Sequence, residues 1–155
     1  MKSRYGKNPD DYERYAVIAV TSIYGVDILH DNVDDCRNRM FEIFDKEYTA
    51  VCKKQVHDDT REAVRHILKH NILCGDSLRM TDTNGNLIVF AEWTAVNSHY
   101  LKRRDYVFEE LVEQGEHTLF SGKEALVNDM GKAVFIPKAV AEFPPIHYRR
   151  VQEHE

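Results

Sequence analysis

Hydrophobic residues along this chain recur first with the period of a helix and later with that of a strand. Near the start, Tyr12, Ala16, Ala19, Val20 and Ile23 fall on one side at about 100° per residue. Just upstream, Asn8-Pro9-Asp10-Asp11 offers a capping amide, a proline suited to the first helical position, and two acids at the positive end of the dipole. A first helix running to Gly25 is predicted, although AVIAV (16–20) read alone would also serve as a buried strand.

The strongest periodicity follows. Val33, Cys36, Met40, Phe41, Phe44, Tyr48, Val51 and Cys52 recur at spacings of three and four, which predicts a second helix from Asp31 to about Val56. After the polar break at His57, Asp58 and Asp59, a third helix is expected over Thr60 to Leu73. Asp59 would be its cap and Glu62 the reciprocal partner, with Val64, Ile67, Leu68 and Ile72 buried.

Beyond Gly75 the period shortens to two. LRMTDTNGNLIVFAEW is rich in β-branched and aromatic residues around Asn84-Gly85, a strong hairpin signal. A two-residue turn there sets Met80 opposite Val89 and Leu78 opposite Ala91, with Arg79, Thr81, Ile88 and Phe90 on the other side. A fourth helix is read from Asn97 to Gln114, stopped by Gly115. Later signals are a capping box, Ser121 with Glu124, opening a segment to Asn128, and a short strand KAVFI (132–136). Pro137, Pro144 and Pro145 are expected to end regular structure. The predicted fold is α+β: a predominantly helical single domain (1–145) with one β-hairpin (about 77–93) between helices 3 and 4. A partly ordered C-terminal tail (146–155) follows.

Composition narrows the class without naming a function. At 155 residues, 43% hydrophobic and 30% charged, the chain is long enough to bury a core without disulfides or metals. No apolar run approaches the roughly 18 residues of a membrane span, and the N-terminus lacks the apolar region of a signal peptide, so a cytoplasmic location is expected. Three cysteines, Cys36, Cys52 and Cys74, read as reduced thiols. A net charge of -5 disfavours polyanions but leaves local basic clusters.

Candidate chemistry concentrates on the third helix. RHILKHNILC, Arg65 to Cys74, puts His66 and His70 one turn apart, with Glu62 one turn before His66. Relative to Val64, these three lie roughly 160° to 240° around the helix, away from its apolar face. Two imidazoles and a carboxylate so spaced would suit a first-row metal and a metal-dependent enzyme; a solvated polar face is the plainer alternative. Arg61, Arg65 and Lys69 form a basic stripe before the hairpin, the order of a winged helix reading nucleic acid. Asp59 and Glu62 would meet phosphates with the wrong sign.

Two charges fall inside apolar arcs. On the predicted fourth helix Arg104 lies about 20° from Leu111, and on the second Glu47 flanks the buried arc. Their long stems would carry both charges to the rim; otherwise the two form a buried ion pair or mark an interface. No catalytic motif survives its spacing test, so the expected function is that of a non-enzymatic protein-binding or regulatory module. It would need no cofactor and would partner another protein or a second copy rather than nucleic acid or membrane.

Overall fold

The computed structural model describes residues 8–112 and 138–154. The first helix, α1 (Pro9–Thr21), begins as its sequence dictates: Asn8 Oδ1 accepts the Asp10 amide at 3.1 Å, with proline at the first turn. It stops at Thr21, short of Gly25, because Gly25–Asp27 is a strand, β1. The second helix, α2 (His30–Cys52), buries Val33, Phe44, Tyr48 and Cys52 and ends where Lys53 takes a positive φ of 51°.

Helix α3 (Asp58–Asn71) buries Thr60, Ala63, Val64, Ile67, Leu68 and Asn71, the spacing of one helical face. Its predicted capping box is absent: His57 stands at the cap position without a side-chain bond, and Glu62 pairs with Arg65 instead. The helix gives way at once to strand β2 (Ile72–Asp76), parallel to β1. Arg37, on α2, donates to the Lys69 and Ile72 carbonyls and so occupies acceptors that the end of α3 leaves open. Ile72 was expected on the helix because it continues the apolar face; it is buried as a strand residue.

The single hairpin resolves into two three-stranded sheets, ordered β1-β2-β3 and β4-β5-β6. The new strands are β3 (Thr81–Asp82), β4 (Val89–Val96), β5 (Tyr100–Val107) and β6 (Ala141–His147). The Asn84-Gly85 turn exists, but Thr81 bridges Leu87, one residue off the predicted register. Asp82 Oδ1 accepts the Asn84 and Asn86 amides, and Gly85 sits at φ 83°, the geometry of a three-residue loop. β3 turns back on β2, where Gly75 is required: a Cβ there would lie 2.6 Å from the Thr81 carbonyl.

The predicted helix from Asn97 to Gln114 is mostly strand. β5 pairs with β4 from Val107 opposite Val89 to Tyr100 opposite Val96, and among the described residues of that stretch only 108–112 turn helical; the expected end at Gln114 and Gly115 lies outside them. Pro144 and Pro145 lie within β6, at the shift of register against β5, on an edge where the missing amide hydrogens cost no ladder bond. The chain is described again as far as His154. Tyr148 and Val151, on a 3-10 segment (Tyr148–Glu153), join the core. Tyr148 and Tyr48 donate to Glu13, which is 1% exposed, and Arg149 Nε donates to it at 2.6 Å. Burial, reinforced by that carboxylate, pushes both phenols well up. The expected capping box at Ser121 and the strand at 132–136 lie outside the described residues.

Candidate binding pocket

Alternation along β4 and β5 gives their sheet two unlike faces. On the inner face Trp93, opposite Arg103, packs toward α3; its indole donates to Asn71 Oδ1 at 2.8 Å, while Asn71 Nδ2 donates to the Thr21 carbonyl. Arg103 is 6% exposed. It forks onto Asp105 at 2.8 and 2.9 Å, donates to the His154 carbonyl, and lies over the rings of Phe143 and Trp93. A guanidinium cannot shed its charge, and this one meets its needs within the fold.

His66 and His70 border that cluster. Their rings are 4.5 Å apart and each stands edge-on to Trp93, so both are half-buried rather than presented to solvent. Burial, with Arg103 next, drives His70 down to about 3, and its neutral Nδ1 faces the Arg103 guanidinium at 3.4 Å. Glu62, the third member of the expected ligand set, is engaged by Arg65 at 2.5 Å. Among the described residues no group of three or more His, Cys, Asp or Glu side chains is arranged to hold a metal ion.

The basic stripe on α3 is also divided. Arg61 binds Asp45 at 2.6 Å and Asp58 at 2.9 Å, and Arg65 lies over Phe41. Arg65 and Lys69 share a shallow notch with Arg37. The element after α3 is a strand of a mixed sheet, not the wing of a winged helix. Arg104, expected on a helix, is a strand residue, its side chain 41% exposed and its Nε 3.4 Å from Glu142. The helical phase placed Arg104 in the core, whereas the strand period puts Arg103 there.

The other face of the sheet opens on a cavity of about 560 Å³ between β1, β4, β5 and the turn at 108–112. Its walls are aromatic. Tyr24 meets Phe90 edge-on at 5.5 Å, and Phe90 meets Phe108 in the same way at 5.2 Å. Tyr106, Leu111 and Val112 complete the apolar lining. The Tyr24 hydroxyl donates to the Ala91 carbonyl at 2.7 Å, fixing this wall against β4. Burial and then the Glu92 carboxylate push that phenol up, which keeps it the neutral donor. Glu92 is the one charged side chain among the described lining residues, and Ser77 stands exposed within the same lining.

Sequence reading missed this pocket because its lining comes from separated stretches, residues 24–26, 77, 90–92, 106, 108 and 111–112. Phe90 carried a signal, as an apolar side chain on the face opposite Ala91, and Phe108 and Leu111 stood out only as part of the apolar arc of the expected fourth helix. Comparison of the chain with protein-family models, curated proteins and solved structures finds no match. No helix among the described residues is long and apolar enough to cross a membrane.

Proposed function

We propose that this protein is a non-enzymatic protein-binding module that receives an apolar anchor of its partner in the pocket walled by Tyr24, Phe90, Tyr106 and Phe108. The observation that carries this reading is the pocket itself. It is concave and aromatic, and its volume of about 560 Å³ is typical of sites that bury a ligand. A preformed aromatic socket can desolvate one inserted side chain at little ordering cost, as interface hot spots do. The pocket also stands on a rigid support, since the opposite face of its sheet is held by the Arg103–Asp105 pair and by Trp93.

The test is a peptide-display selection on the immobilised protein. Ser77→Trp places a large ring at the exposed pocket lining without touching the core. Peptides enriched on the wild type should share a large apolar residue and be lost on Ser77→Trp but kept on Ser77→Ala. Enriched peptides indifferent to Ser77→Trp would overturn the reading.

A further inference from the structure

The geometry points to a partner segment whose apolar anchor is flanked by a lysine or arginine, with Glu92 recognising the cation at the pocket lining. This rests on the binding-module reading above and adds the chemistry of its partner.

Three observations carry it. First, Glu92 lies in the lining, on the same strand face as Phe90, so a group seated on the aromatic walls comes within reach of a carboxylate. Second, the nearest cation is shared between two carboxylates. Arg104 lies directly across from Glu92 on β5 and across from Glu142 on β6, and its Nε is 3.4 Å from Glu142. The row therefore holds two carboxylates for one guanidinium. Lys102 stands one pair further along that face, opposite Thr94 and away from the pocket. The hydrogen bond to Glu92 from Thr94 Oγ1, 3.1 Å away on the same strand, is a neutral one. Third, the aromatic faces themselves favour a cation over an anion, because the ring quadrupole is negative above its plane. Apolar walls, ring faces and a carboxylate together select an apolar group carrying a positive charge beside it, and they repel an acidic one.

The probes are three short end-blocked peptides in a Gly/Ser background, containing Phe-Lys, Phe-Glu or Ala-Lys, titrated into the full chain while amide shifts are followed by NMR. Phe-Lys is expected to move the Tyr24, Ala91 and Glu92 amides and to bind at least about threefold tighter than Phe-Glu at low salt. The margin should narrow as salt rises. Glu92→Lys should reverse the order of the two, and Ser77→Trp should abolish both responses. Equal binding of Phe-Lys and Phe-Glu, both blocked by Ser77→Trp, overturns the charge preference and leaves the module reading standing. Equal binding of Ala-Lys and Phe-Lys overturns the anchor, and silence from all three up to millimolar concentration overturns both readings. Shifts at the same amides on raising protein concentration without peptide would assign the pocket to a second copy and also overturn the proposal.

Discussion

The two faces of the β4-β5-β6 sheet carry similar residue types and put them to opposite uses. The inner face has a guanidinium, a carboxylate and an indole, with an imidazole of α3 packed against them, and the charged pair and the indole are tied to partners at 2.8 to 2.9 Å. The outer face has a guanidinium, an ammonium, two carboxylates and aromatic rings, but leaves a cavity among them and Glu92 exposed beside it. Charge that is buried must be satisfied by the fold itself, and once satisfied it has nothing left for a ligand. Charge at the rim of an open apolar pocket retains that capacity. The comparison separates residues whose loss should unfold the protein from residues whose loss should silence it.

The sharpest way to break this comparison is on the inner face. Asp105→Ala should cost about 3 kcal/mol or more in chemical denaturation, because it strands a buried guanidinium; changing Arg103 and Asp105 together to Met and Leu should recover much of that. A loss under about 1 kcal/mol would mean that Arg103 reaches water.

Next in size is Trp93→Phe. It removes the indole donor and leaves Asn71 Oδ1 buried without it, so a loss of about 1–2 kcal/mol in the same measurement is expected.

The pH dependence should be milder and directional. The unfolded chain takes up a proton on His70 near 6.5, whereas the native imidazole is held down to about 3. Between those values the unfolded state binds more protons, so stability contributed by neutral His70 is complete above about 6.5 and falls as pH drops toward 3. Comparing unfolding midpoints across that range, His70→Gln should fall less steeply than the wild type. Parallel slopes would show that the imidazole titrates alike in both states.

The smallest effect belongs to the outer face. Arg104→Ala should change the unfolding midpoint little, since its ion pair with Glu142 is a partly exposed one at 3.4 Å. A clear drop would erase the distinction between the faces.

What the sequence made legible follows the same division. The start of α1 and the buried faces of α2 and α3 could be read because local capping and a 3.6-residue period coincide with burial there. β5 could not: its inward positions are Leu101, Arg103 and Asp105, so burial alternates while polarity does not, and a helical fit through Leu101, Arg104, Val107, Phe108 and Leu111 looks better than the true strand. β1, only three residues long, has no period to detect. Ile72 continued the apolar face of a helix expected to run to Leu73, which hid the parallel pairing with β1 that frames one wall of the pocket. Long-range pairing decides each of these cases, and no window of local sequence contains it.

The central claim is that the outer-face pocket serves binding and not stability. Its most direct test is calorimetric titration of a peptide selected on the wild type into Ser77→Trp, with the thermal midpoint of the variant measured alongside. The account predicts at least a tenfold loss of affinity with an unchanged midpoint. Undiminished affinity in a folded Ser77→Trp would contradict it.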